Sequence, residues 1–291
     1  MAAAIGRAGV LIGGHAVNPA QSDPSLAAAL PVPRAFAPRP VSIELTGRLA
    51  RRSFAVLRAA PGRLLLLYLF VYLPLLLLLT DAAYLAMPLR GVLASIGFAG
   101  FYGALQRAAD GEAPGLREMV RPWLLPADRI VLLALAGLLP VLAIWLVWWF
   151  DLGSAGLDGL LSVPLGAAPA DAKAGPASPA LAQLVEMIAV ENLLNLPLLL
   201  LQPLCVLHDW SATRTLSANL LASLANWRWG VLLAMVAGPL ALALNAAPLD
   251  NPAVLPLVLV ADVGFGMFLS AFTLVLLQYT LDGEPAALAT P

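Results

Sequence analysis

The stretch from Arg63 to Asp81 reads RLLLLYLFVYLPLLLLLTD, with no charge at any position from 64 to 80. An α-helix of about 20 apolar residues crosses the ~30 Å hydrocarbon core of a bilayer. In hydrocarbon the backbone has no water to bond, so it must close its own hydrogen bonds, as a helix does. The run is continuously apolar and does not alternate, which excludes a barrel strand.

Working outward from Leu64–Thr80, five more runs answer the same description: 85–106, 130–150, 185–206, 229–247 and 258–281. The whole composition agrees. Hydrophobic residues make up 61% of the 291 and charged residues 11%, against roughly 45–50% and about 25% in soluble domains. So few charges cannot cover the surface of a water-soluble globule. A disordered chain and a coiled coil are excluded on the same ground. The net charge of −1 offers no basic face, so nucleic acid is not an expected partner. Cys205 is the one cysteine, which rules out an internal disulfide or a thiolate metal cluster.

Basic residues set the orientation. Fourteen of the sixteen lie before the first run, between the second and third, or between the fourth and fifth; Arg90 and Lys173 alone fall on the opposite side. Both termini are therefore expected in the cytoplasm of a bacterium, with the chain in the inner membrane. Residues 1–43 read as a disordered Pro/Ala/Ser-rich tail, 44–282 as the membrane domain, 151–179 as its one sizeable outer loop, and 283–291 as a short C-terminal tail.

The odd-numbered runs share a mark. Arg63, Arg129 and Arg228 each precede a proline, Pro74, Pro140 and Pro239, by eleven residues. The even-numbered runs carry Leu105-Gln106, Leu201-Gln202 and Leu277-Gln278 near their inner ends. Two of these continue into Asp110-Gly111-Glu112 and Asp282-Gly283-Glu284. Amphipathic stretches open each unit: Leu45, Leu49 and Val56 opposite arginines; Leu116, Met119, Val120, Trp123 and Leu124 opposite Arg117, Glu118 and Arg121; Leu216, Leu220, Leu224 and Trp227 opposite Ser211, Thr215, Asn219 and Asn226. The expected fold is an all-α polytopic bundle of six transmembrane helices, built as three parallel repeats of an interfacial helix plus a transmembrane hairpin. Mitochondrial carriers also have three proline-marked hairpins. Their acidic and basic residues after each proline are missing here, where Leu75, Val141 and Leu240 follow instead.

Two inner segments carry a closer likeness. One runs from Leu105-Gln106-Arg107 through Asp110-Gly111-Glu112, Pro114, Trp123-Leu124 and Arg129 to Pro140. The other holds Asn226-Trp227-Arg228-Trp229. Together they resemble a family of uncharacterised six-span inner-membrane proteins of proteobacteria. The resemblance implies a fold and a location; it brings no activity, cofactor or catalytic residue.

Polar groups inside hydrocarbon are costly and each needs a reason. Glu186, Glu191, Asn192 and Asn195 fall in the first half of the fourth run, Asn245 near the outer end of the fifth, Asp262 near that of the sixth, and Asp81 beside the first. Glu191, Asn195 and Asp262 are the candidate lining of an outward-facing polar cavity; interhelical hydrogen bonding is the plainer role for the same groups. Arg48, Arg51, Arg58 and Arg63 are the candidate contacts to lipid headgroups. Gly97, Gly100 and Gly103, and Gly230 with Ala234 and Gly238, mark close helix packing. Pro74, Pro140 and Pro239 are expected to kink their spans. His208-Asp209 reads as a loop start with Asp209 as an N-cap. No nucleophile, phosphate loop or histidine cluster is legible, so no catalytic residue, metal or cofactor is expected. The expected role is a non-enzymatic accessory or scaffold protein that binds the lipid bilayer and other membrane proteins. The alternative is a small-molecule or lipid transporter.

Overall fold

The computed structural model describes residues 38–77, 83–142, 193–245 and 254–282, together with 146 and 189, all within one unit, Ala37–Pro291. Among the described residues the chain is helical throughout, with no strand. In chain order the α-helices are α1 (Thr46–Ala59), α2 (Pro61–Leu77), α3 (Ala83–Ala109), α4 (Leu116–Val120), α5 (Ala127–Leu142), α6 (Leu201–Leu207), α7 (Ala212–Ala225), α8 (Trp227–Asn245) and α9 (Leu255–Asp282). Short 3-10 turns stand at Ile43–Leu45, Arg121–Leu124 and Leu196–Leu198.

One helix, Pro256–Leu281, is by itself long and apolar enough to cross a membrane; the number is up to four if each of three sharply bent pairs is one span. The bends are 91° between Ile43–Ala59 and Pro61–Leu76, 103° between Leu116–Leu124 and Ala127–Leu142, and 79° between Ala212–Ala225 and Trp227–Leu240. In every pair an amphipathic stretch turns abruptly into an apolar helix that carries Arg63, Arg129 or Arg228 in its first turn. Local chemistry sets two of the bends. Ala60 (ψ 59°) precedes Pro61 and Leu125 (ψ 157°) precedes Pro126, and a proline ring disfavours helical backbone at the residue before it. No proline makes the third, which falls at Asn226 (ψ 24°). The expected kink sites Pro74, Pro140 and Pro239 lie inside α2, α5 and α8; the large turns are elsewhere.

Helix α3 is the centre of the bundle, packed by α1, α2, α4, α6 and α9, while α1 lies along α9. Its glycines explain how neighbours come so close. A Cβ at Gly100 would stand 2.8 Å from the backbone of Met119, and Gly91 meets Gly137 of α5 backbone to backbone. The main apolar cluster joins Ile96 and Ala99 to Leu133, Leu201, Cys205 and Val206. The helix ends at Gly111, whose φ of 77° is left-handed backbone that suits glycine at a helix C-terminus.

The C-terminal half of helix α7 is turned inside out. Thr215, Ala218, Asn219, Ala222 and Ser223 are the helix's buried residues, while Leu220, Leu221, Leu224 and the following Trp227 are exposed. Large apolar side chains also cover the outside of α2 (Leu65, Leu66, Phe70, Leu73) and of α5 (Val131, Leu135, Leu139, Leu142). A monomer in water exposes few contiguous patches of this kind.

Several expectations change. The fourth run does not continue as one helix through its described half: the 3-10 turn at Leu196–Leu198 and the turn at 199–200 interrupt it before α6. The tail boundary at 43 moves back, because residues 39–41 are hydrogen-bonded into the bundle. Glu118, placed by periodicity on a solvent face, is buried because it pairs with Arg107. Ser211, not Asp209, caps α7, accepting a hydrogen bond from the Arg214 N–H at 3.4 Å. The outer loop 151–179 and the tail 283–291 lie outside the described residues.

Candidate functional site

Of the proposed outer cavity, Asp262 and Asn195 are described; Glu191, like Glu186, Asn192 and Asp81, lies outside the described residues, as does the side chain of Asn245. Asp262 is half-buried in α9. Its carboxylate accepts a 2.5 Å hydrogen bond from the Tyr72 hydroxyl on α2. Tyr68, one turn away on the same face, stacks on Tyr72 with ring centroids 5.9 Å apart and lies over Gly266, where any side chain would collide with its hydroxyl. Tyr102 of α3 is buried beside Ser270 and Thr273. Positions 262, 266, 270 and 273 are spaced four, four and three apart, one stripe of α9, and that stripe meets the three tyrosines. Near the C-terminal end of α9 Gln278 donates to Gln106 at 2.9 Å. Sequence reasoning singled out Asp262 and missed the tyrosines; the available signal was Tyr68 and Tyr72, four apart in an otherwise aliphatic run.

Asn195 is half-buried and opens the 3-10 turn without a side-chain capping bond. The break beside it is held by a residue that periodicity had placed on the polar face of α7. Asn219 accepts a hydrogen bond from the Leu200 N–H at 3.2 Å and donates to the Pro197 carbonyl at 2.5 Å. Backbone groups freed by the break are thus satisfied inside the protein, as a low-dielectric interior requires.

The three bent pairs make three junctions. In the second bent pair Arg129 is buried. It donates to the carbonyls of Cys205 (3.2 Å) and His208 (2.8 Å), and to Asp209 (2.8 Å). Its hydrogen bond and charge hold the Asp209 carboxyl below the usual carboxylate range, and Asp128 accepts from the Ala212 N–H at 3.1 Å. In the third pair Asn226 grips an extended stretch of chain. It accepts from the Val41 N–H (2.8 Å) and donates to the Arg39 carbonyl (3.3 Å) and the Thr280 hydroxyl (3.2 Å). The Trp229 indole donates to the Val41 carbonyl at 2.9 Å. In the first pair no such filling occurs. A pocket of about 550 Å³ lies between residues 59–63 and residues 108–113.

Beside that pocket Arg107 bridges Glu112 at 2.8 Å and Glu118 at 2.7 Å. Burial pushes the Glu118 carboxyl up, but hydrogen bonds from Arg107 and from the backbone N–H groups of Glu118 and Gly115 outweigh it and leave it below the usual carboxylate range.

The candidate headgroup arginines Arg48, Arg51, Arg58 and Arg63 are all exposed. Arg52, which breaks the amphipathic pattern of α1, lies over the Tyr279 ring at 5.7 Å. Among the described residues no group of three His, Cys, Asp or Glu side chains could hold a metal ion, and Cys205 is a buried free thiol. No family model, curated protein or solved structure matches this chain.

Proposed function

We propose that this chain is a multi-pass protein of a bacterial inner membrane, with six spans arranged as three hairpin units, each opened by an amphipathic helix, and with both termini cytoplasmic. Its role is that of a non-enzymatic accessory or scaffold protein that binds membrane partners or lipids. One observation carries this reading. Asn219 and Ser223 of α7 turn inward and are hydrogen-bonded, while Leu220, Leu221 and Leu224 face outward beside the large apolar side chains that cover the outside of α2 and α5. A solvent of lipid favours that inversion, because outward leucines lose nothing and every inward polar group needs a partner. The three bent pairs support the repeat, and the arginine asymmetry supports the orientation.

The test is mass spectrometry of the protein drawn from its native membrane in polymer-bounded bilayer discs, counting protein and lipid. A stoichiometric protein partner or an enriched lipid is the expected result. A stable monomer in water without detergent would overturn the membrane assignment.

A transporter is the second reading, favoured by the interrupted fourth run. A helix interrupted beside a polar residue, as here by a 3-10 turn next to Asn195, is a place where transporters build binding sites. Here the outward-facing cavity would be lined by Glu191, Asn195 and Asp262. Glu191→Gln combined with Asp262→Asn should then abolish ligand binding or uptake; unchanged behaviour ends this reading.

A further inference from the structure

The pocket at the first bend is a gap in a pattern that the other two pairs complete. Aligned on their arginines, the positions just before are Pro61-Gly62, Ala127-Asp128 and Asn226-Trp227. Asp128 and Asn226 reach across their junctions. Pro61 and Gly62 have nothing to reach with, and a Cβ at Gly62 would meet no atom within 4 Å. Arg63 differs from Arg129 in the same way. Arg129 is buried against carbonyls and Asp209, whereas Arg63 lines the open pocket and forms no ion pair among the described residues. The one carboxylate in the pocket lining, Glu112, is already held by Arg107 at 2.8 Å. Directly beyond Arg63, the side chains of Leu66, Phe70 and Leu73 are exposed on α2; their spacing of three, four and three puts them in one stripe headed by the arginine.

The geometry points to a binding site for an anionic phospholipid at this junction, the phosphate on Arg63, the headgroup in the pocket and an acyl chain along Leu66, Phe70 and Leu73. A guanidinium is a strong partner for a phosphate oxygen pair. The volume lies in the range of small-molecule sites. The apolar stripe selects a lipid over a free anion. This deepens the membrane and lipid-binding reading proposed above and rests on it.

The test equilibrates the full-length protein with mixed micelles of phosphatidylglycerol and phosphatidylcholine and counts bound lipid by native mass spectrometry. Wild type should retain phosphatidylglycerol in preference. R63Q should weaken that retention about tenfold, the loss of a charge-assisted pair. G62W, which puts into the pocket the residue standing at the matching position of the third pair, should block it. R228Q, the sister arginine lying over Trp227 at 5.9 Å, should retain lipid as wild type does. Equal retention by wild type, R63Q and G62W overturns the site, as does equal loss in R228Q. Displacement by equimolar glycerol 3-phosphate overturns the lipid assignment. Protein partners are read from different masses in the native-membrane experiment, so the site can fail while the accessory role stands; a chain soluble without detergent would instead sink the membrane reading itself.

Discussion

Gln106 and Gln278 occupy the same place in two of the three Leu-Gln pairs, and their side chains meet. Gln278 donates to the Gln106 carbonyl oxygen at 2.9 Å, across 172 residues of chain. The third member, Gln202, donates instead to Ser95 at 3.4 Å. Residues related by the sequence pattern therefore become neighbours in the bundle. Gln278→Leu leaves the Gln106 carbonyl oxygen without its donor, while the Gln106 amide nitrogen still donates to Asp110; it should cost about 1 kcal/mol, and the double change to leucine should cost less than the sum of the two single ones. Unfolding in mixed micelles gives the coupling energy from the four proteins of the cycle.

Arg129 satisfies two carbonyls at the end of α6 from a position 5% exposed. Arg129→Met leaves those acceptors without their donor and should destabilise the protein by roughly 3 kcal/mol. Asp209→Ala removes only an exposed carboxylate and should leave thermal stability nearly unchanged. Equal losses in the two variants would contradict this division.

Asn226 supplies both an acceptor and a donor to residues 39–41. Asn226→Asp keeps the acceptor and loses the donor. The segment should loosen by about 1–2 kcal/mol. Amide exchange at Val41 should rise by about tenfold or more. Trp229→Phe, which removes the bond to the Val41 carbonyl, should act in the same direction.

Glu118 ionises below the usual carboxylate range in the folded protein. The folded state therefore binds fewer protons than the unfolded chain as the pH drops below the unfolded value of about 4.3. Its stabilising contribution is complete above that value and is lost as the pH falls through the lower, folded one. Thermal unfolding between pH 3 and 5 should show a smaller acid loss in Glu118→Gln than in wild type, with the variant less stable at neutral pH.

Tyr72→Phe removes the one hydrogen bond described for the Asp262 carboxylate. Hydrogen bonds between membrane helices average about 0.6 kcal/mol and reach about 1.7 kcal/mol. A carboxylate partner places this bond toward the upper end. A double-mutant cycle with Asp262→Asn measures it.

The helical apolar runs and the amphipathic segments were legible because they follow from local terms. Each apolar residue adds its own transfer free energy, and helical periodicity places each polar residue on a face. The runs at 85–106, 229–247 and 258–281 coincide within a few residues with α3, α8 and α9. The proline-set bends after Ala60 and Leu125 are local in the same sense, although the prolines that sequence reasoning chose for kinks were others. The interruption of the fourth run was not legible as such. Pro197 and Pro203 weaken that helix, but what holds the break is Asn219, on another helix.

Arg63, Arg129 and Arg228 carry one sequence mark and meet three fates: an open pocket, a buried anchor and a tryptophan face. By itself the amino-acid order determined that this protein is helical, which segments are apolar and where its charges concentrate, since those depend on residues and their immediate neighbours. Tertiary structure alone decided that Asp262 bonds Tyr72 and that Asn226 holds Arg39 and Val41. A polar group out of water takes whichever partner packing brings within about 3 Å, and packing joins residues that lie far apart along the chain.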